Sequence, residues 1–245
     1  MNMFVLSGLK KNSMSTCLRC EGTKEIKVKD PSYVGGYHFE KCGCAYIPIE
    51  MGLQEKFVKA NLKSFEGNEK LSLWVSKYIE KFDLKDTQKG IYFYSNTGTG
   101  KTYLSSCILS DLSKKKGIRC YFTTVTDLLL LARRAVGAGD EESQDQLEKI
   151  KNIELLILDD LGVEKVTDWT EEFLQSLVDY RYSRCFPIIY TSNNSLQKLP
   201  NKFLGESVGS RLVSRIIHSC FIIEPSDGDY RLKHYKNAEE LLEEE

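Results

Sequence analysis

The chain has 245 residues, 41% of them apolar, with 34 basic and 35 acidic side chains and a net charge of -1. That is long enough for one substantial α/β domain plus a small accessory module, and apolar enough to exclude a disordered chain. The balanced charge excludes a basic nucleic-acid coat, so any such contact rests on a local patch or on assembly.

At the N-terminus, the apolar patch Met3 to Leu6 precedes any basic residue, the reverse of a secretory leader. No apolar run approaches the roughly 20 residues that span a bilayer, so a cytoplasmic chain with no membrane partner is expected. Residues 1–50 then hold four of the eight cysteines, Cys17, Cys20, Cys42 and Cys44, with turn signals at Asp30-Pro31-Ser32 and Gly35-Gly36. Such a segment buries too little core to fold alone, and two close thiol pairs suit tetrahedral Zn²⁺. The second pair is one residue tighter than usual, and His38 could replace one thiolate. A small four-cysteine zinc module is the expectation. The scattered Cys107, Cys120, Cys185 and Cys220 read as ordinary thiols, most simply buried.

Residues 51–70 read as a linker. Leu53, Phe57 and Val58 have helical spacing, which Leu71, Trp74, Val75 and Tyr78 repeat. A larger α/β region, 71–235, follows. Strands are expected at 90–95, 118–125, 155–159, 187–192 and 221–224, and helices at 101–116, 126–136, 168–184 and 207–219. Alternation with near-continuous apolar strands implies a parallel sheet covered on both faces. Gly137 to Gln146 reads as a flexible polar loop, and 236–245 as an acidic, solvated tail.

Four constellations carry chemistry. Ser95-Asn96-Thr97-Gly98-Thr99-Gly100-Lys101-Thr102 follows the apolar run Ile91 to Tyr94, a strand entering a phosphate-cradling loop and then a helix. Backbone N–H groups of Asn96 to Gly100 would surround phosphate oxygens, Lys101 would reach the outer phosphates and Thr102 would ligate Mg²⁺. Ser95 stands where the motif's first glycine sits, a place where this loop would differ from its relatives. The strand Leu155 to Leu158 ends in Asp159 and Asp160, suited to holding Mg²⁺ and orienting an attacking water; alone, such acids would merely exit to solvent. The strand Pro187 to Ser192 ends at Asn193, able to bond a γ-phosphate or the water, with Ser195 able to cap a following helix. Arg211 and Arg215 share one helix face, an amphipathic pattern that becomes an arginine finger if a neighbouring subunit supplies a phosphate.

In order along the chain, these residues resemble the DnaC/DnaI family of replicative helicase loaders, an AAA+ ATPase group. The resemblance also runs through Phe57 to Phe65, Leu158-Asp159-Asp160-Leu161-Gly162, Thr167-Asp168-Trp169, Tyr180-Arg181-Tyr182, Thr191-Ser192-Asn193 and Gly209 to Arg215. It implies an AAA+ P-loop NTPase core with a five-stranded parallel sheet in the order 5-1-4-3-2 and no C-terminal lid domain. Lys101 and Thr102 fall in Walker A, Asp159 and Asp160 in Walker B, Asn193 in sensor 1, and Arg211 and Arg215 in the finger box, with Arg215 favoured. It further implies ATP with Mg²⁺ bound between self-associated subunits, a DnaB-type replicative helicase as partner of the zinc module, and single-stranded DNA as a second partner. An IstB-like transposition helper and a helicase-binding adaptor or inhibitor are the alternatives. Lys114-Lys115-Lys116 and Arg133-Arg134 read equally well as solvated helix faces.

Overall fold

The computed structural model describes residues 17–33, 35–46, 49–84, 89–137, 139–163, 167–204, 206–225 and 228. The expected acidic tail and the patch Met3 to Leu6 lie outside these residues.

The cysteine segment folds as a hairpin of β1 (Glu25–Lys29) and β2 (Tyr37–Lys41), paired antiparallel, with Ile26 packed against Cys17, Cys20 and Cys42. From Gly90 the expected alternation appears. Strands β3 (Gly90–Tyr94), β4 (Cys120–Thr124), β5 (Leu155–Leu161), β6 (Ile188–Ser192) and β7 (Cys220–Ile223) are all parallel, in the order β4-β5-β6-β3-β7. Counted from β3 as first, this is the order 5-1-4-3-2. The helices are α1 (Glu69–Lys81), α2 (Lys101–Lys116), α3 (Val125–Gly137), α4 (Glu141–Asn152), α5 (Asp168–Ser183) and α6 (Glu206–Ser219).

Successive strand residues point to opposite sheet faces, and both faces are buried. Ile91 and Phe93 pack with Ile79, Leu104, Ile108 and Leu112 on one side. Tyr92, Leu156, Leu158 and Tyr190 pack with Leu128, Leu174, Leu177 and Ile216 on the other. Helices on both faces leave the carboxyl ends of β3, β5 and β6 side by side, where an open α/β sheet binds ligands.

Three expectations are corrected. Residues 137–146 are not one flexible loop, because α4 begins at Glu141. Glu141 and Glu142 occupy its first turn and Lys149 and Lys151 its last, matching the helix dipole, while Ser143 and Ile150 are buried. The spacing of Leu53, Phe57 and Val58 is not α-helical: short 3₁₀ turns cover Glu55–Phe57 and Leu62–Ser64. Met51 and Leu53 are buried against the core instead, and Phe122 N–H donates to the Met51 carbonyl at 2.8 Å. Ser195 does not cap a helix with its side chain. Its carbonyl accepts from Lys198 and Leu199 in a turn.

The cysteine module is seated on the core. Glu154, at the entry to β5, accepts both Arg19 guanidinium bonds (2.7 and 2.8 Å) and the Arg119 N–H (2.8 Å), while Arg119 also pairs with Glu40. Burial pushes the Glu154 carboxyl up, but the Arg19 and Arg119 bonds and charges outweigh it, and its pKa ends below the ordinary range. Nearby, the fully buried Arg181 guanidinium donates to the carbonyls of Ile150, Lys151, Ile153 and Pro187 at 2.9–3.3 Å. Burial lowers its pKa to about 9, so it stays charged at neutral pH and binds the negative end of α4.

Candidate functional site

The loop between β3 and α2 is built around two glycines in the left-handed region, Gly98 (φ 84°) and Gly100 (φ 85°). A side chain at Gly100 would stand 2.8 Å from the Phe65 ring. Ser95 does not need glycine's freedom, because its φ is not positive. Its hydroxyl lies 2.5 Å from Thr99 Oγ1, and Thr99 in turn donates to the Asn96 carbonyl at 3.2 Å. The buried Lys101 ammonium bends back over the loop and donates to the carbonyls of Ser95 (2.9 Å) and Asn96 (2.7 Å).

Asp159, at the end of β5, faces this loop. It accepts from Thr102 Oγ1 at 2.9 Å and from Thr191 Oγ1 at 2.6 Å. Burial raises its pKa, and the charge of Asp160 adds to the rise; the Thr191 and Thr102 bonds and the Lys101 charge oppose it without cancelling it. Asp160 is exposed and sits at φ 62°, unusual for a non-glycine residue, where β5 breaks register with β6 between Leu158 and Leu161. Its N–H donates to Thr191 Oγ1 at 2.9 Å. Thr191 thus holds both acids at once. It lies inside a family motif, yet no sequence pattern assigned it this role. The available signal was a hydroxyl on an otherwise apolar strand.

Thr97 to Thr102, Asp159, Asp160 and Asn193 line one cleft of about 500 Å³. Asn96 contributes through its carbonyl rather than the cleft wall. The remaining wall comes from the segment before α1, including Lys56, Phe57, Phe65 and Glu66, and from Tyr103 and Val163. Phe65 stacks on Tyr103 with centroids 6.0 Å apart, and the Tyr103 hydroxyl donates to the Asn61 carbonyl at 3.1 Å. Phe57 and Phe65 were legible only as part of a lead-in motif, and Lys56, Glu66 and Tyr103 carried no sequence signal for the site.

Arg211 and Arg215 do not line this cleft. Both lie on α6; Arg215 Nε donates to Asp179 at 2.9 Å, and its guanidinium sits 4.5 Å over the Tyr182 ring. Arg211 is exposed and makes no ion pair among the described residues.

At the far end of α2 the sulfurs of Cys17, Cys20, Cys42 and Cys44 lie within 4.8 Å of one another, with Cys17–Cys42 at 3.8 Å and Cys20–Cys44 at 3.4 Å. Zinc–sulfur bonds of about 2.3 Å in a tetrahedron put sulfurs near 3.8 Å apart, so four thiolates in this arrangement fit Zn²⁺. His38 turns instead to Glu40 (2.9 Å) and stacks on Tyr33.

Comparison with known proteins agrees with this geometry. The replicative helicase loader DnaI of Bacillus subtilis (strain 168) is 26% identical over 166 residues, covering 64% of this chain and 52% of DnaI. The insertion sequence IS5376 putative ATP-binding protein of Geobacillus stearothermophilus is 30% identical over 156 residues, covering 63% of this chain and 60% of that protein. The chain therefore spans a little over half the length of these relatives. A crystal structure of the DnaC helicase loader superposes with a TM-score of 0.62 at 28% identity, covering 70% of this chain and 99% of that one. The fold is that of a P-loop NTPase of the AAA+ type. A family profile described as "IstB-like ATP binding protein" matches residues 62–238, well over half of the sequence, and the chain belongs to the IstB-like ATP-binding protein family, with the DnaI and DnaC helicase loaders among its homologues.

Proposed function

We propose that this protein is an ATP-hydrolysing loader that places a replicative DNA helicase of the DnaB type on single-stranded DNA, working as self-associated subunits with ATP between them. The observation that carries the reading is the single cleft lined by Lys101, Thr102, Asp159, Asp160 and Asn193. The loader relatives give it its direction.

In this reading the loop from Asn96 to Gly100 binds the triphosphate through its backbone N–H groups, and Lys101 exchanges its two carbonyl partners for outer phosphate oxygens. Thr102 and Asp159 would hold Mg²⁺, which neutralises charge developing on the transferred phosphoryl group. Asp160, exposed and fixed by its backbone bond to Thr191, orients the attacking water. Asn193 hydrogen-bonds the γ-phosphate or that water. Arg215 serves a neighbouring subunit's phosphate as the finger, held until then by a solvent-exposed pair with Asp179 that is weak enough to break. Arg211, one turn earlier, supplies a second cation. Residues 1–50 form the zinc-bound, helicase-facing module, 51–70 the connection, 71–235 the ATPase domain and 236–245 an acidic tail.

The test is retention of the host's replicative helicase on the immobilised chain, with and without ATP. ATP-dependent retention that is lost in Lys101→Ala supports the loader. A chain that hydrolyses ATP yet retains no helicase in either state overturns it. That outcome would favour a transposition helper, the reading to which the insertion-sequence relative points.

A further inference from the structure

The hairpin of the cysteine module turns one face to solvent, and that face is not an ordinary polar one. Alternation along β1 and β2 sends Ile26 inward to the thiols and Lys27, Lys29, Tyr37 and Phe39 outward. The register sets Lys29 opposite Tyr37 and Lys27 opposite Phe39, so each outward ring has a lysine as its cross-strand neighbour. Phe39 is 62% exposed, Tyr33 in the connecting turn 53% and Tyr37 38%. The Tyr37 and Phe39 rings lie 5.9 Å apart, edge to face, and Lys27 Nζ sits 3.3 Å over the Tyr37 ring. No second layer covers the Tyr37 and Phe39 rings among the described residues, so they serve no core.

Exposed rings alone would suit an apolar protein surface. Lysines interleaved one for one with rings suit a polyanion that presents flat faces. Lys41, on the same face, is taken up by Glu50 (3.3 Å) and the Tyr46 ring, and Glu25 lies opposite it, so the free positive charge is concentrated beside the aromatic pair. The chain as a whole is near neutral, so a nucleic acid would be attracted only by a local basic patch, and this face carries one beside exposed rings.

We propose that the outer face of the hairpin binds single-stranded nucleic acid, with bases stacking on Phe39 and Tyr37 and backbone phosphates meeting Lys27 and Lys29. This deepens the loader reading by naming where the strand is gripped. The binding needs no nucleotide, so its failure is separate from failure of the ATP site.

The experiment is fluorescence anisotropy of a labelled oligothymidylate of about 20 nucleotides with the full zinc-loaded chain, without ATP, between about 50 and 200 mM salt. Phe39→Ala and Tyr37→Ala should each weaken binding roughly 5- to 150-fold, with Phe39→Trp close to wild type. Joint replacement Lys27→Gln and Lys29→Gln should reduce the slope of log affinity on log salt by roughly 1.4. Zinc content and melting midpoint of each variant establish that it is folded. Unchanged oligothymidylate affinity in both folded alanine variants overturns the proposal, as does equally tight binding of a duplex of the same length. Loss of helicase retention with oligothymidylate binding intact also overturns it, and makes the face a protein dock.

Discussion

Ser95 is the position where this phosphate loop departs from its motif, and the geometry gives the departure a sign. Its φ is compatible with any residue, and its hydroxyl closes the loop on Thr99 at 2.5 Å, with both side chains buried. Ser95→Ala removes that bond together with the hydroxyl's longer contacts, both 3.5 Å, with the Asn96 carbonyl and Lys101 Nζ. Thr99 keeps the Asn96 carbonyl, so no buried group is orphaned and the loss is about 0.5–1.5 kcal/mol. Ser95→Gly, which restores the motif, adds backbone freedom costing about 0.5–1 kcal/mol. Lys101 keeps both backbone carbonyls in either variant and loses its 3.5 Å contact with the Ser95 hydroxyl.

If loop order is drawn on to hold the triphosphate, Ser95→Ala should weaken ATP binding roughly 2- to 12-fold and Ser95→Gly roughly 5- to 70-fold. Titration with a fluorescent ATP analogue, alongside steady-state phosphate release, reads both. Tighter binding by Ser95→Gly would mean that serine is a defect in the loop rather than a tie, and the reasoning would be wrong. Equal affinities in wild type and both variants would show that the hydroxyl bond does not order the loop.

Asp159→Asn should raise the melting temperature of the nucleotide-free protein while abolishing Mg²⁺-dependent ATP binding. A carboxyl whose folded pKa is raised opposes folding at neutral pH, and that opposition fades as pH falls through the raised value. Mg²⁺ affinity of the wild type should therefore drop over the same acid range, and a flat Mg²⁺ profile would count against the role. Glu154→Gln should destabilise the seating of the cysteine module by about 2–3 kcal/mol, read by denaturant unfolding. Because the Glu154 pKa is depressed, its contribution is present above the ordinary value near 4.5 and lost as pH falls through the folded value, so wild type should lose the difference from the variant on acidification. Arg215→Ala should keep ATP affinity but lose about 10³-fold or more of assembly-dependent hydrolysis; a dilute monomeric preparation as active as the assembled one would remove the finger. Metal analysis should give about one zinc per chain, and chelation should expose residues 17–46 to protease. A hairpin that stays folded and protease-resistant without metal would refute the assignment of the four thiols to zinc.

The sheet was readable because each of its strands is a largely apolar run separated from the next by a helix pattern, and parallel strands buried on both faces leave little ambiguity. The phosphate loop, Asp159, Asp160 and Asn193 were readable for a related reason: each lies at or just past the carboxyl end of such a strand, and the fold brings those strand ends together whatever the loops do. What stayed hidden depends on long-range contact. Thr191 looks like any β-branched strand residue until Asp159 and the Asp160 N–H converge on its hydroxyl. The segment holding Phe57 and Phe65 has apolar spacing that fits a helix, but Asn61 draws its side chain into a turn by accepting from Ser64, and the rings go to Tyr103 and the cleft. α4 was masked by its charge: its buried face is little more than Ser143 and Ile150, too thin a stripe to read as periodic.

Helix α2 joins the two chemistries of this chain, and its ends explain why the cysteine module is not a free appendage. Sixteen residues of helix span about 24 Å. At one end Gly100 lets Phe65 approach the phosphate loop. At the other, Gly117 (φ 67°) caps the helix where a Cβ would stand 2.5 Å from Cys42 Sγ and 2.9 Å from Cys17 Sγ. The Gly117 carbonyl also accepts from Gly43 N–H at 3.0 Å, and Glu154 clamps Arg19 beside it. A module held at these points travels with the phosphate-loop helix as one body, so its distance from the nucleotide is set by helix length rather than by a flexible tether. If the chain is the loader proposed above, nucleotide-dependent changes in what the module binds would have to arise elsewhere: in the aromatic lead-in beside Phe65, or between one subunit's cleft and the next subunit's Arg215.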